Sequence, residues 1–361
     1  MTAVTTEPGR SRVRKRAGTP RRHPLIGYLA RRVLISVALA VGVTFVTFIL
    51  TNLVPGDPVA AALGERAAED PAAVAQFNAT YGLDKPFWQQ YIIYLGNLFQ
   101  GDLGISQLTR NPVSADLAKA VPATLEIALA TIVLSLAIGV TLGTWAAHRR
   151  GKVTDQVVRV VSLAGLSVPT FWMALMLYYF FYFKWHIAPG AGRQSSDYLT
   201  PPHVTGMYTV DALLAGQLDT FVDAAAHLFL PVLVLTLFTV GLLTRFVRTS
   251  VLEVLDQDYV RAARAKGLRS RTIVFSYVLR AAAVPIMTMV GIAFGSLLAG
   301  TVLVEQIFSW PGLGSYAFKA ASNLDLTAIM GVGLVVGIIY LGVNLIVDIL
   351  YSIVDPRVRL A

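Results

Sequence analysis

The chain has 361 residues, 55% of them hydrophobic and only 14% charged, where soluble domains carry about 25% charged residues. That balance excludes a soluble globular enzyme and points to several bilayer-spanning helices, and the formal net charge of +9 has to be read in that setting. Cysteine is absent, which excludes disulfides, thiol catalysis and thiolate metal sites.

Residues 1–24 carry seven of the thirty Lys and Arg and read as a basic, disordered tail. Residues 25–54 hold the first predicted span, 33–54, since roughly 20 apolar residues suffice to cross the hydrocarbon core. This stretch has full spanning length and ends in Asn52, Leu53, Val54, Pro55, Gly56 and Asp57. No small-residue cleavage pattern follows, so it reads as a retained helix and not as a signal peptide.

Residues 55–124 form a long region beyond that span. From Pro86 to Phe99 the chain places Phe87, Tyr91, Tyr94, Leu95 and Leu98 at helical spacing, which predicts an amphipathic helix. Asp102, Leu103 and Gly104 then predict a turn. The aromatic face either packs on the membrane surface or the protein itself, or meets an external partner; both readings are open.

Residues 125–350 contain five further spans, 127–147, 160–183, 224–244, 281–304 and 326–347, each free of Asp, Glu, Lys and Arg. Counting residues 1–32, 148–159, 245–280 and the tail 351–361 together, 23 of the 30 Lys and Arg fall on one side of the spans. Basic loops stay cytoplasmic, so both termini are predicted to face inward. The positive charge is then topological and calls for no nucleic-acid partner, although the basic tail suits anionic lipid. Three spans carry small-residue pairs, Gly139/Gly143, Gly291/Gly295 and Gly333/Gly337, that let helix backbones approach closely. The loop 184–223 is rich in Pro, Gly and Ser and shows no legible chemistry. The loop 305–325 contains Glu305, Trp310, Pro311, Gly312 and Gly314, where proline breaks a helix and glycines permit tight turns. It reads either as a structured gate rim or as a rigid turn.

Intramembrane ionisable groups would mark a proton or ion pathway. Only Glu126, Glu305 and Asp348 lie near the spans, at helix ends where water is expected close by, so ion-coupled transport has little to work with. The five histidines show no pair at i+3 or i+4, and no metal site is visible. There is no G-x-x-x-x-G-K-[ST] loop to cradle a nucleotide phosphate, so ATP, if it is used, is hydrolysed on another chain.

Attention then falls on the cytoplasmic loop 245–283. Asp256 and Asp258 precede Arg264 and Lys266, an order that suits a helix dipole. Gly267 is placed to end that helix in a left-handed cap. Ala262, Ala263 and Ala265 keep the helix slim, and Tyr259 and Leu268 offer apolar anchors. Such a helix either lies in a groove on a soluble partner or rests on lipid headgroups.

Several segments carry a family resemblance in their order and spacing: Leu53-Val54-Pro55-Gly56-Asp57-Pro58, Tyr81-Gly82-Leu83-Asp84, Gly101-Asp102-Leu103-Gly104, Pro122-Ala123-Thr124-Leu125-Glu126, residues 258–268, residues 304–314, Asn344, Asp348 and Asp355-Pro356-Arg357-Val358-Arg359. From about Arg31 to Arg359 the chain resembles the first (B-type) permease subunit of dipeptide, oligopeptide and nickel ABC importers, within the binding-protein-dependent inner-membrane component family. The resemblance implies an all-α polytopic membrane protein with six transmembrane helices, a type I ABC importer permease core and cytoplasmic termini, set in the bacterial cytoplasmic (inner) membrane. It implies a non-catalytic subunit of a heteromeric complex. Its partners would be a second homologous permease, two ABC ATPase subunits that hold ATP and Mg, an extracytoplasmic substrate-binding protein and membrane lipid, with no cofactor or metal on this chain.

By the same resemblance Asp258, Tyr259, Arg261, Ala262, Ala263, Arg264, Ala265, Lys266, Gly267 and Leu268 form the ATPase-coupling helix. Tyr81, Leu83, Asp84, Phe87, Gln90, Tyr91 and Asp102 approach the binding protein, and Glu305, Trp310, Pro311, Gly312 and Gly314 belong to the outer rim. The implied cargo is di- or oligopeptides. Nickel chelates and oligosaccharides are alternatives within the family, and an ion-coupled secondary transporter is the alternative from another class.

Overall fold

A computed structural model describes residues 24–53, 69–82 and 84–354, which fold into helices with no strand among the described residues. The basic tail, the motif from Val54 to Pro58, Leu83 and the terminal Asp355 to Arg359 lie outside the described residues.

Helix α1 runs Pro24–Leu53 and carries the apolar stretch Val33–Ile49. Helix α2, Pro71–Tyr81, starts at Asp70, whose side chain accepts from the Ala72 N–H at 3.0 Å, and ends at Gly82. This pairing of an N-cap aspartate with a proline at the first helical position sets where a helix begins. Helix α3, Phe87–Phe99, is the predicted amphipathic element.

Among the described residues, four helices are long and apolar enough to cross a membrane: α4, Val113–His148; α8, Leu218–Leu255; α10, Ser270–Gly300; and α13, whose apolar part is Leu326–Tyr351. A bent pair among the described residues offers a fifth crossing: α5, Val153–Ser167, and α6, which runs Thr170–Tyr178 and continues as a π-helical turn, Tyr179–Lys184. The uninterrupted span predicted over 160–183 is therefore corrected: the two halves meet at 93°. Pro169 is the cause. It lacks an N–H and pushes the residue before it out of the helical region, and Val168 is accordingly extended, with φ −84° and ψ 126°. The predicted span 281–304 also stops early, at Gly300, and a short helix, α11, Val302–Ile307, restarts the chain. Three shorter helices complete the set: α7, Tyr208–Leu214; α9, Asp258–Ala265; and α12, Leu313–Ser322.

The small-residue pairs do what their spacing suggests. A Cβ on Gly139 or Gly143 of α4 would come within 2.9 or 2.8 Å of α8 at Leu243 and Thr244. Gly291 and Gly295 of α10 face Val347 and Tyr340 of α13, while Gly333 and Gly337 of α13 face Thr47 and Val43 of α1. In lipid, where no hydrophobic effect drives helices together, such close van der Waals approach is the main source of cohesion. The central core gathers Ile127 of α4, Leu235 and Leu243 of α8, Phe294 of α10 and Trp310.

Candidate functional site

Helix α9 sits at the end of the bundle that carries the basic loops. Val260 and Ala263 are three apart, share one face and are buried against Val247, Val251, Ile273 and Val278. Val260, an apolar residue at helical register with Ala263, is missing from the sequence reading. Ala263 is turned inward by that same register, so it secures the helix from inside and is absent from the outward surface. The other nine residues of the segment are exposed: Asp258, Tyr259, Arg261, Ala262, Arg264, Ala265, Lys266, Gly267 and Leu268. Asp258 and Arg261 form an exposed ion pair.

The helix closes on Gly267 at φ 76°, in the left-handed region. The Gly267 N–H donates to the Arg264 carbonyl at 2.9 Å and the Leu268 N–H to the Ala263 carbonyl at 3.3 Å. These are the two bonds of a Schellman cap, as the glycine's position predicts. Asp256 takes a different part from the one its sequence position suggests. It closes α8 and pairs with Arg150 at 3.3 Å across the loop.

On the same end of the bundle, Asp155 of α5 is buried and accepts from Arg248 of α8 at 2.6 and 2.9 Å, and from the Gly151 N–H at 3.0 Å. A bidentate guanidinium–carboxylate pair fixes orientation as well as distance. It therefore ties α5 to the end of α8 that precedes α9.

At the opposite end, the loop carrying Trp310 is folded around two buried carboxylates. Glu305 is fully buried; it accepts from the Thr124 hydroxyl at 2.6 Å and the Ser315 N–H at 2.7 Å. The Thr124 hydroxyl in turn accepts from the Leu313 N–H at 2.7 Å, and the Trp310 indole N–H donates to the Ala123 carbonyl at 2.9 Å. Burial pushes the Glu305 carboxyl above its ordinary range, against hydrogen bonds from Thr124, Ser315, Thr301 and Gly314 that pull it down. Gly312 lies against Thr124 and Glu305, and Gly314 against Val302 and Glu305. Pro311 follows Trp310 at the turn between α11 and α12.

The second carboxylate, Glu126 of α4, accepts from Arg193 at 2.6 Å and from the N–H and hydroxyl of Thr209 at 2.7 and 2.6 Å. Arg193 also donates to the Gly206 carbonyl at 2.9 Å and stacks over Tyr208, its guanidinium carbon 3.8 Å from the ring centre and 5.5 Å from that of Trp310. Asp211 holds the same loop by accepting from the backbone N–H groups of Val204, Thr205 and Gly206. Burial raises its carboxyl, but the hydrogen bonds from Thr205, Gly206 and Val204 outweigh that and hold it below the usual range. Two expectations are corrected here. Glu126, Glu305 and Asp348 are all buried, at 4%, 0% and 4% exposure, not set in water at helix ends. The Pro- and Gly-rich loop supplies Arg193, one of its only two Lys and Arg residues, which was the available signal.

The third group is α3. Its aromatic face packs on α1, where Phe45 stacks on Trp88 and Phe48 meets Phe87, Tyr91 and Tyr94 at 5.2, 5.4 and 5.6 Å. The Tyr91 hydroxyl donates to the Val41 carbonyl at 3.0 Å and lies 2.9 Å from the Thr44 hydroxyl. Four residues of α1, Val41, Thr44, Phe45 and Phe48, thus meet four of α3. The aromatic face packs on α1, while Phe87 and Trp88 stay exposed. Tyr91 is corrected from an outer contact to a buried residue held by α1.

Of the other residues expected on that surface, Asp84 and Phe87 are exposed, and Gln90 donates to the Lys85 carbonyl at 2.9 Å. Asp102 accepts from the Gly104 N–H at 2.8 Å, the predicted turn. Tyr81 ends α2, its side chain outside the description.

Comparison with known proteins agrees along almost the whole chain. Residues 139–360 match the family model described as binding-protein-dependent transport system inner membrane component. Residues 25–128 match the companion model for the N-terminal part of such components. The chain is 43% identical over 323 residues to the probable D,D-dipeptide transport system permease protein DdpB of Escherichia coli (strain K12), covering 89% of this chain and 94% of that one. It is 42% identical over 335 residues to the di/tripeptide transport system permease protein DppB of Pseudomonas aeruginosa (strain UCBPP-PA14), and 38% identical over 339 residues to the dipeptide transport system permease protein DppB of E. coli (strain K12). Each of the latter two alignments covers 93% of this chain and 99% of the relative.

Proposed function

Because the chain belongs to the family of binding-protein-dependent transport system inner membrane components, we propose that it is the peptide-conducting permease subunit of an ATP-driven importer. It is a multi-pass inner-membrane protein and a transport subunit. The single observation that carries the cargo assignment is the identity of 38–43% to three permeases named for dipeptide or di/tripeptide transport, over at least 89% of this chain.

The finer assembly follows from that reading. A second homologous permease completes the path, with α1, α4, the bent pair α5/α6, α8, α10 and α13 as six crossings and both termini inside. Two ATPase subunits hold ATP and Mg on the side of the basic loops, and a substrate-binding protein delivers cargo on the other. Helix α9 is the coupling element. Support comes from its construction: Val260 and Ala263 anchor it to α8 and α10, while Tyr259, Arg264, Lys266 and Leu268 point away from the chain. Coupling requires that this surface bind two ATPase states differently, since equal binding shifts nothing.

The reading is tested by solute uptake into proteoliposomes holding this chain, its partner permease and the ATPases, with binding protein outside and ATP inside. ATP-dependent uptake of labelled dipeptides is expected. Uptake of nickel chelates or oligosaccharides alone would remove the peptide assignment, and uptake driven by a proton gradient without ATP would remove the importer mechanism.

A further inference from the structure

Helix α3 carries a second apolar stripe beside the face that packs on α1. Trp88, Ile92 and Phe99 fall on one side of the helix and are 65%, 66% and 85% exposed. No charged residue occurs between Lys85 and Asp102. The amides Gln89, Gln90 and Asn97 sit in the first and last turns, and Ile93 faces Gly82 at the end of α2. The stripe is thus the part of α3 that neither α1 nor α2 covers.

A second observation gives its depth. The Tyr91 hydroxyl donates to the Val41 carbonyl, inside the apolar stretch Val33–Ile49 of α1 and ten residues beyond the exposed Arg31. At 1.5 Å per residue that is about 15 Å along the helix, half of a hydrocarbon core about 30 Å thick. Arg31 marks one membrane interface, since its charged head reaches for water, and any tilt of α1 only shortens the distance. The Tyr91 hydroxyl therefore bonds near the midplane, and the length of one tyrosine side chain leaves α3 within the far leaflet. Backbone groups in hydrocarbon must be satisfied from within the protein. At the C-terminal end of α3 the Asn97 carbonyl accepts from the Gln100 and Asp102 N–H groups at 3.0 and 2.9 Å, and the Leu98 carbonyl from Gly101 at 3.0 Å.

We propose that α3 is embedded in the leaflet opposite Arg31, the outer one in the assembly above, with Trp88, Ile92 and Phe99 against lipid acyl chains. The stripe adjoins the membrane-facing surface of α1, where Leu39, Val46 and Leu53 are exposed. Asp84 and Lys85 before the helix and Asp102 after it are exposed and return the chain to water. The middle of α3 is thereby withdrawn from any surface offered to a binding protein, and that role falls to the charged turns on either side. The proposal rests on the multi-pass membrane character of the chain and is independent of which solute it moves.

The chain lacks cysteine, so single variants accept a nitroxide label without background. Ile92→Cys and Phe99→Cys place it on the stripe, where it displaces no buried side chain. Val46→Cys of α1 serves as the membrane reference, and Asp197→Cys, exposed in the loop 184–223, as the aqueous one. The full chain with its partner permease is reconstituted in phosphatidylethanolamine/phosphatidylglycerol liposomes. Paramagnetic resonance then reads collision with molecular oxygen, which concentrates in hydrocarbon, and with a polar nickel chelate, which stays in water. Oxygen collision is expected to exceed nickel collision at 92 and 99, as at 46, with the order reversed at 197 and no change at 92 on adding binding protein. Nickel collision above oxygen collision at 92 and 99 would place the stripe in water and overturn the proposal. Weak collision with both reagents would overturn it in favour of a protein covering the stripe. Transport is not read, so either outcome leaves the importer assignment to its own test.

Discussion

Arg193 and Glu126 show why a single residue can matter far from any pathway. Their side chains are 7% and 3% exposed, so removing one partner leaves a charge buried without its counter-ion. Arg193→Met should cost roughly 3 kcal/mol, seen as a lower thermal midpoint in detergent, and Arg193→Met/Glu126→Gln should regain part of it. Glycine positions make a graded comparison. At Gly312 an alanine Cβ would fall 2.4 Å from the Thr124 hydroxyl oxygen and 2.6 Å from the Glu305 carboxyl carbon, so Gly312→Ala should cost about 1–3 kcal/mol by overpacking. At Gly267 nothing lies within 4 Å, and Gly267→Ala should cost only about 1 kcal/mol for its left-handed backbone. Unfolding midpoints of the two variants check the order. Asp211 supplies a pH dependence. Its carboxyl is depressed in the fold, so its contribution is complete above its ordinary value of 3.8 and is lost as pH falls through the folded value. Between about pH 5 and 3 the midpoint of Asp211→Asn should therefore fall less than that of the wild type.

Among elements, α9 was the most legible. Its charge order, its alanines and Gly267 lie within eleven residues, and the forces that set a short helix and its cap are local. What its sequence did not disclose was which face turns inward, because Val260 and Ala263 are buried by residues of the flanking helices α8 and α10, outside the segment itself. If α9 is the coupling element, Arg264→Glu and Gly267→Pro should insert normally in the membrane. Both should lose most ATP-dependent uptake, with ATPase activity no longer stimulated by binding protein. Wild-type uptake by both variants would remove α9 from the coupling role. Helix α3 illustrates the opposite case. Its amphipathic spacing was readable, but not that its aromatic face meets Phe45 and Phe48 of α1, some forty residues earlier.

For the whole molecule, the four long helices and the bent pair leave extensive apolar surface on α1, α5 and α13. A path formed between two permeases follows from the proposed assembly and not from this chain alone. Proteoliposomes with this chain as the only permease, supplied with ATPases, ATP and binding protein, should show peptide uptake no higher than protein-free vesicles. Uptake at the level of the complete assembly would show that one chain suffices.

The amino-acid sequence by itself determined the membrane class, the approximate position of each apolar segment, the cap at Gly267 and the family, because each depends on composition or on residues close together in the chain. The tertiary structure decided what depends on distant partners. It broke the third predicted span at Pro169, buried Glu126 and Glu305 instead of leaving them in water, and joined Arg193 to a carboxylate 67 residues away. It also folded Tyr91 against α1. A carboxylate near a helix end reads as solvated until the loop that covers it is in place, and only packing puts that loop there.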